Sequence, residues 1–391
     1  MLYNIPMINN IRTIGIVGGG QLGKMMILEA KRLGFRIATL DPGAACPAHS
    51  ISDVHIEAGF EDKEGYLKLA EISDVITYEF EHINVAMLEQ LEQKGHTVLP
   101  SVASLKIIQD KLWQKQALLK HGIPVPKFTE ANTLQDLQDY YAAAKKPFFL
   151  KSRKGGYDGK GNYLVRGADD IEAGFNRLGG KELMIEELIN FDKEVSVIAT
   201  RAASGECVIY PIAENIHKSS ILDTTTVPAA VSAKEKAQIM DIAAKVMECF
   251  GGVGTFCAEL FVGKDGVMVN EVAPRVHNTG HYTIEACRVS QFENHIRAIT
   301  GLGLGSTDMT VGAAIMKNII GGTGQDGAAK FTGIEAAYKF PSASAHVYGK
   351  GEVKEGRKMG HVTVTGGSVK EVKTILSKIN IECKAENKYK I

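Results

Sequence analysis

The sequence predicts a mixed fold, α/β at its start and α+β beyond, arranged as three domains. Two observations carry this. From residue 13 to about 99, apolar β-rich runs alternate with helical patterns, an order that builds a parallel sheet. After the breaks at Pro100 and at His121-Gly122-Ile123-Pro124-Val125-Pro126, the pattern changes to short strands around glycine-rich turns. A length of 391 residues lets each domain bury a core of its own. The divisions expected are 1–108, 109–198 and 199–391.

The first strand, over 13–17, runs into Gly18-Gly19-Gly20, and a helical pattern over 21–33 stops at Gly34, a suitable C-terminal residue. A strand over 36–40 ends at Asp41-Pro42. Strands over 75–78 and 98–99 flank a helix over 86–93, and a helix over 104–119 leads out of the domain. The second unit has strands over 148–151, 163–165 and 183–187 with a helix over 171–178. The third opens with strands over 195–200 and 207–212 and a helix over 234–250. It continues through two strands about Gly266, a helical stretch over 285–299, and strands over 346–348 and 361–364.

Forty-five basic and forty-five acidic residues cancel, so no general field draws the chain to nucleic acid or to an anionic membrane. No apolar run approaches a membrane span, and no leader pattern opens the chain; a cytoplasmic protein is expected. Six scattered cysteines without a CxxC pair predict reduced, mostly buried thiols.

Gly18, Gly20 and Gly23 fit G-x-G-x-x-G between a strand and a helix, with Asp41 ending the next strand, which is a dinucleotide fingerprint in outline. Tight strand-to-helix packing explains the same glycines. Nothing downstream resembles a hydride-transfer site, so the turn is kept only as a candidate phosphate cradle.

The chemistry concentrates around Gly263-Lys264-Asp265-Gly266, a hairpin signal between two β-rich segments. Centred near Asp265, the hairpin sets Glu259 and Glu271 opposite each other on one side of the sheet. Their neighbours Phe256, Leu260, Phe261, Val267, Val269 and Val272 are apolar, so a cation must compensate, and magnesium with triphosphate oxygens suits two carboxylates. A pair satisfied by Lys or Arg is the plain alternative. Arg275 follows the strand end, where its planar fork can hold a carboxylate or phosphate. Upstream, the strand-end Lys151 precedes Gly155-Gly156-Tyr157-Asp158-Gly159-Lys160-Gly161, a loop able to close over phosphates, although it is not a Walker A loop.

Lys151, this loop, Met184-Ile185-Glu186-Glu187, Glu194 and the Glu259/Glu271 pair follow one another in an order that resembles the ATP-grasp enzymes. Within that superfamily, Gly18-Gly19-Gly20-Gln21-Leu22-Gly23, Gly156-Tyr157-Asp158-Gly159-Lys160-Gly161, Glu214-Asn215-Ile216-His217, Pro274-Arg275-Val276-His277-Asn278-Thr279-Gly280-His281 and Gly356-Arg357-Lys358-Met359-Gly360-His361 are similar to the motifs of the 5-(carboxyamino)imidazole ribonucleotide synthases of purine biosynthesis. The similarity spans residues 14–361.

The resemblance implies a three-domain ATP-grasp architecture with a biotin-carboxylase-like N-terminal parallel-sheet domain and ATP between the other two. It implies Lys111 and Lys151 on the ATP phosphates, with Gly156, Gly159 and Gly161 in the covering loop. Glu186, Glu187 and Ile189 would lie at the adenine hinge, Glu194 on the ribose hydroxyls, and His217 and Asn270 along the nucleotide pocket. Magnesium would sit on Glu259 and Glu271. The aminoimidazole ribonucleotide would meet Tyr157, Asp158, Lys160, Arg275, His277 and Asn278 on one side. Lys350, Arg357 and Lys358 would meet it on another, and Gly20, Gln21, Leu22 and Glu79 at the N-terminal turn. Asp158, Arg275 and Lys350 form the implied catalytic set. The implied reaction joins bicarbonate to the ribonucleotide amine with ATP, through carboxyphosphate, in a homodimer.

Two positions depart from pattern. Lys160 stands where the family often has Arg, and Ala273 where many ATP-grasp enzymes have a metal-binding Asn. The rival readings are another ATP-grasp carboxylate-amine ligase, such as a formate-using phosphoribosylglycinamide enzyme or a biotin carboxylase, an NAD-dependent dehydrogenase, and a non-catalytic nucleotide-binding regulator. Tyr157-Asp158 and Gly356-Arg357-Lys358 argue against the first, and the chain has no Met-Lys-Met biotin acceptor.

Overall fold

The computed structural model describes residues 8–156, 159–322 and 326–386. The N-terminal sheet is parallel, in the order Val54–Glu57, Arg36–Asp41, Thr13–Val17, Val75–Tyr78. Three of its strands, Arg36–Asp41, Thr13–Val17 and Val75–Tyr78, are covered on both faces by helices such as Gln21–Arg32 and Lys63–Glu71, which is why they read as apolar runs, while the edge strand Val54–Glu57 is half-buried to exposed. The expected strand at 98–99 is reduced to a single parallel bridge between Val98 and Ile76.

The expected helix over 104–119 is two helices, Val102–Gln109 and Lys111–Lys120, broken at Asp110. Asp110 adopts an extended conformation, and its carboxylate accepts from the N–H groups of Leu112 and Trp113, capping the second helix. The same buried carboxylate takes a two-nitrogen contact from Arg153, across 43 residues of sequence.

A second, antiparallel sheet orders Phe128–Ala131, Leu183–Glu187, Phe148–Ser152 and Asn162–Val165, covered by helices Leu134–Ala144 and Ile171–Arg177. The third is nine-stranded. From its hairpin edge it runs Gly266–Ala273, Gly254–Gly263, Lys193–Arg201, Ala213–Lys218, Ile221–Val227, Ala313–Ile320, Lys358–Gly366 and Ala343–Val347, with Cys207–Ile209 beside Lys193–Arg201. The expected division at 198 is corrected here. It would cut strand Lys193–Arg201, all of which belongs to the large sheet, so the change of sheet falls in residues 188–192. The expected helical stretch over 285–299 is likewise two helices, Thr283–Ala286 and Gln291–Ile299.

The large sheet has two unlike faces. One carries Val195, Val197, Leu260, Val262, Val269 and Val272 onto helix Ala233–Phe250, and further along places Ile315, Val362 and Val364 under helix Val369–Leu376. Residues paired across the ladders share a face, so the opposite one presents Glu271, Glu259, Ser196, Glu194 and Asn215 near one edge. The N-terminal domain docks beside this polar face: Met25, Met26 and Ile27 pack on Phe292, Ile296 and Ile299, and Thr77 Oγ1 meets His295 Nε2 at 2.9 Å.

Three of the six cysteines are buried, two are half-buried and Cys207 is exposed. Burial pushes the thiols up, to about 11 at Cys249 and about 12 at Cys287, so neither is a poised nucleophile. Among the described residues no helix is long and apolar enough to cross a membrane.

Leu260 is 1% exposed between the large sheet and helix Ala233–Phe250. Leu260→Ala is expected to lower unfolding free energy by about 2–5 kcal/mol, measured by denaturant titration, because the packed sheet cannot collapse onto the lost volume.

Candidate active site

The hairpin sets Glu259 directly opposite Glu271. The turn itself is centred between Lys264 and Asp265, closed by Gly263 opposite Gly266, so a regular ladder would set Glu259 opposite Asn270. An irregularity next to Glu259 inserts Asn270 as the extra residue and aligns the carboxylates. The expected apolar surroundings are only partly present. Leu260, Val267, Val269 and Val272 point to the core face, while Phe261 and Met268 alternate onto the carboxylates' face with Glu194 and Ser196.

Each glutamate has a different answer to the like charge opposite. Glu271 Oε1 lies 2.5 Å from Lys111 Nζ, at the start of helix Lys111–Lys120. Burial pushes the Glu271 carboxyl up, but the charge and hydrogen bond of Lys111 outweigh it and hold the group below the usual range. Among the described residues, the ion-pair partner of Glu259 is His277, whose Nε2 lies at 3.8 Å. Burial pushes its carboxyl up; the nearby His217 opposes this, and the charges of Glu271 and Glu194 add to it. His277 itself stays neutral, its pKa held well below the usual range by burial and by the charges of Arg275 and Lys358.

Beneath them Glu186, 2% exposed, is gripped by two lysines: Lys151 Nζ at 2.5 Å and Lys115 Nζ at 2.6 Å. Lys115 also donates to the Asn270 carbonyl at 3.0 Å, and Lys151 reaches Asn270 Oδ1 at 3.5 Å. Burial drives the Lys115 ammonium down to about 8, against the pull of Glu186. Lys115 stands four residues after Lys111, one helical turn along the same face, and that spacing is the sequence signal for it. Glu186 was expected at the adenine hinge; its carboxylate instead lies under the lysines, and Glu187 is the partly exposed residue of the two.

Ile189 leads into the connection between the sheets, where Phe191 stacks on Phe261 with centroids 4.5 Å apart and Asp192 N–H donates to the Val262 carbonyl. Glu194 Oε2 lies 2.5 Å from His217 Nδ1. Burial lowers the imidazole pKa, but Glu194 more than restores it, so His217 is raised overall.

Tyr157 and Asp158 lie outside the described residues. The rest of their loop closes on itself: Ser152 N–H donates to the Gly161 carbonyl, and a Cβ at Gly156 would stand 2.6 Å from Gly161 Cα. Gly159 has φ +78°, and a Cβ there would meet Ser220 Cβ at 2.5 Å, so the loop lies against the turn after His217. Lys160 is exposed.

The N-terminal turn is not an open cradle. Gly20 N–H donates to Glu79 in a short contact, Gly23 N–H donates to Glu79 Oε2 at 2.7 Å, and Gly19 N–H to Asp41 Oδ2 at 2.8 Å. These donors, which a bound pyrophosphate would need, serve the chain's own carboxylates. A Cβ at Gly18 would meet Glu79 Cγ at 2.5 Å, so the glycine admits Glu79. Burial raises the Glu79 carboxyl, with Lys350 among the groups opposing it. Gln21 begins the helix, while the side chain of Leu22 is buried in the core. Lys24 Nζ donates to the Tyr348 carbonyl at 3.0 Å, and Lys350 Nζ to the Lys358 carbonyl at 2.8 Å, so the two chain ends meet at this turn.

Arg275 Nε contacts Glu81 in a short ion pair, and its Nη1 donates to the Val276 carbonyl at 3.0 Å. Burial raises the Glu81 carboxyl, but Arg275 outweighs it and carries the group well below the usual range. Glu81 was missed in the sequence, although it follows a parallel strand end in Tyr78-Glu79-Phe80-Glu81-His82. Asn278 exchanges amide hydrogen bonds with Asn318, at 3.1 and 2.8 Å, leaving its side chain a scaffold. Arg357 turns its Nη1 to the Glu352 carbonyl, away from this group.

Residues 11–109 match the ribonucleotide synthetase preATP-grasp domain, 116–292 the ATP-grasp domain, and 314–374 the phosphoribosylaminoimidazole carboxylase C-terminal domain. The chain is 40% identical over 356 residues to N5-carboxyaminoimidazole ribonucleotide synthase of Bacillus subtilis, covering 90% of each chain. Among solved structures it resembles the N5-carboxyaminoimidazole ribonucleotide synthetase of Thermotoga maritima, with 41% identity and a TM-score of 0.87 over 96% of this chain and 100% of that one. It also resembles the synthase of Aspergillus clavatus in complex with ADP and 5-aminoimidazole ribonucleotide, with 36% identity, a TM-score of 0.86, and 94% and 97% of the chains covered.

Glu186→Gln would leave Lys115 and Lys151 buried without their counter-charge. A loss of about 3–5 kcal/mol of unfolding free energy is expected, read by denaturant titration.

Proposed function

This chain belongs to the N5-carboxyaminoimidazole ribonucleotide synthases, ATP-grasp ligases of purine biosynthesis, and on that premise we propose how its own residues divide the work. The reaction converts ATP, bicarbonate and 5-aminoimidazole ribonucleotide to the N-carboxy product, ADP and phosphate. The observation that supports the division most directly is the facing pair Glu259 and Glu271, with Lys111 on Glu271 and with Lys115 and Lys151 gathered on Glu186.

Lys111 and Lys151 hold the ATP phosphates, and Gly156, Gly159 and Gly161 supply the loop that closes over them. Glu187 and Ile189 flank the adenine, and Glu194, steadied by His217, takes the ribose hydroxyls. Asn270, beside Lys151, completes the pocket wall. The hard oxygens of Glu259 and Glu271 suit magnesium, and the elevated carboxyl of Glu259, whose ion-pair partner among the described residues is the His277 imidazole, fits such a site. Bound there, magnesium would neutralise charge on the triphosphate. Ala273 offers no third side-chain ligand, so Glu259 and Glu271 are the side chains that would hold the ion.

Bicarbonate oxygen attacks the γ-phosphate, ADP leaves, and carboxyphosphate forms; Lys151 offsets the charge on the transferring group. Arg275, aimed by Glu81, holds the carboxyphosphate carboxylate through guanidinium N–H groups directed away from Glu81. Carboxyphosphate then yields carbon dioxide and phosphate, and the exocyclic amine of the ribonucleotide captures the carbon dioxide in a closed pocket. Asp158 orients that amine or takes its proton, with Tyr157 and Lys160 in the same loop. Lys350 and Lys358 receive the ribonucleotide opposite Glu79 and the 20–22 turn, with His277 and Asn278 shaping the wall and Arg357 at the rim. The divisions proposed are 1–108 for the N-terminal domain, then a lid and a larger ATP-grasp domain that part at 188–192. A cytoplasmic homodimer belongs to the same reading and is checked by sedimentation.

ADP release with ATP and magnesium should rise on adding bicarbonate and the ribonucleotide together; no stimulation by the ribonucleotide sinks the assignment. Glu259→Gln or Glu271→Gln should lower kcat by about 10²–10³-fold. Because burial sets the Glu259 carboxyl above the usual range, its protonation begins at higher pH than for an ordinary glutamate. The apparent magnesium affinity should therefore weaken as pH falls through that raised value, and a flat profile down to the ordinary carboxylate range counts against the site. Asp158→Asn with undiminished product formation removes Asp158 from the mechanism.

A further inference from the structure

The two lysines assigned to the ATP phosphates come from separate elements, and one buried ion pair joins those elements. Lys111 begins helix Lys111–Lys120, directly after Asp110. Lys151 lies on strand Phe148–Ser152, two residues before Arg153. Asp110 is 0% exposed, and the Arg153 guanidinium meets both of its oxygens, with Nε at 3.1 and 3.2 Å and Nη2 at 2.7 Å. The backbone repeats the link. Lys111 N–H donates to the Arg153 carbonyl at 2.8 Å, and Arg153 N–H donates to the Glu182 carbonyl at 3.0 Å. From this geometry we propose that Arg153 and Asp110 are a positioning pair for the reaction, setting the separation of Lys111 from Lys151 and so the fit of the ATP phosphates between them. This role rests on the assignment of those two lysines to ATP.

The surroundings hold the pair in one arrangement. Asp110 Oδ1 also accepts from the N–H groups of Leu112 and Trp113, at 3.0 and 3.3 Å, so the carboxylate that grips Arg153 is the one that fixes the first turn of the Lys111 helix. Arg153 Nη1 reaches Glu130 Oε1 at 2.6 Å, on strand Phe128–Ala131, and its guanidinium carbon lies 5.8 Å from the centre of the Trp113 ring. A planar fork serves Asp110, Glu130 and Trp113 together, which a single ammonium at the same place cannot. The lysine heads have their own carboxylates, Glu271 for Lys111 and Glu186 for Lys151, each at 2.5 Å. What the heads do not fix is the distance between the two backbones that carry them, and the Asp110–Arg153 pair spans that distance. Displacing one phosphate-binding group by about 1 Å is enough to cost on the order of 10²-fold in rate.

The test is steady-state kinetics of the full chain, varying ATP and the ribonucleotide in turn. Lys111→Ala and Lys151→Ala should each raise the KM for ATP; an ATP KM unmoved in both overturns the lysine assignment and the positioning role with it. Arg153→Lys keeps the charge and loses the fork, while Asp110→Asn keeps an oxygen to cap the helix and loses the charge. In both variants kcat/KM for ATP should fall by about 10²-fold, largely through KM, while the KM for the ribonucleotide holds. The double variant should cost no more than the worse single one, because the two groups act as a unit. Where the lysine variants behave as expected, three results overturn the positioning role and leave the lysine assignment standing. They are a fall confined to kcat, as a smaller folded fraction would give, an equal rise in both KM values, and additive losses in the double variant. Should Asp110→Asn fail to fold by circular dichroism, the KM split in Arg153→Lys decides.

Discussion

Two carboxylates held face to face across one strand pair constrain everything packed around them. Glu259 and Glu271 are brought into line by the extra residue at Asn270, and their repulsion has to be met by groups from elsewhere in the chain. The response is uneven. Lys111 takes Glu271, while among the described residues Glu259 is paired with a neutral imidazole at 3.8 Å and keeps an elevated carboxyl. That imbalance leaves one hard, half-satisfied oxygen ligand beside a fully paired one, a setting into which a cation carrying phosphate fits.

The lysines need their own support, and Glu186 supplies it. A buried carboxylate between Lys115 and Lys151 fixes two ammonium groups that would otherwise repel. A buried ion network of this kind is weak evidence of stability, because desolvation offsets much of the attraction. Its value here is position: Lys151 comes from the small sheet, Lys115 from the helix after Asp110, and Asn270 from the large sheet. The three parts of the chain are registered at one point. The Asp110–Arg153 contact repeats the device at the base of the glycine loop.

On the other side, the N-terminal domain contributes charge rather than a phosphate cradle. Glu79 takes the donors of the Gly20 turn, Glu81 grips Arg275, and Lys350 comes back from the far end of the chain to oppose Glu79. Fold class and family were legible because they rest on local patterns and short motifs. The hairpin carrying Glu259 and Glu271 was legible because an Asp-Gly turn between β-rich runs is a local signal, whereas the facing of the two carboxylates depends on the extra residue at Asn270. The occupation of the glycine turn was not, since Gly20 and Glu79 are 59 residues apart and the same glycines suit a ligand phosphate or an intramolecular carboxylate equally well. The break of one helix at Asp110 was hidden for the same reason, because its partner Arg153 lies 43 residues away in sequence.

By itself, then, the sequence determined the alternation that makes the parallel sheet, the hairpin with its two glutamates, the strand-end Lys151 with its glycine loop, and through these motifs the ligase family. These depend on backbone periodicity and turn chemistry, which neighbouring residues settle among themselves. Only the tertiary structure decided which charge meets which: Arg275 with Glu81 across 194 residues, Lys111 with Glu271 across 160, Arg153 with Asp110 across 43. Electrostatic pairing depends on distance in space and on burial, and both are fixed only when the sheets and helices have packed.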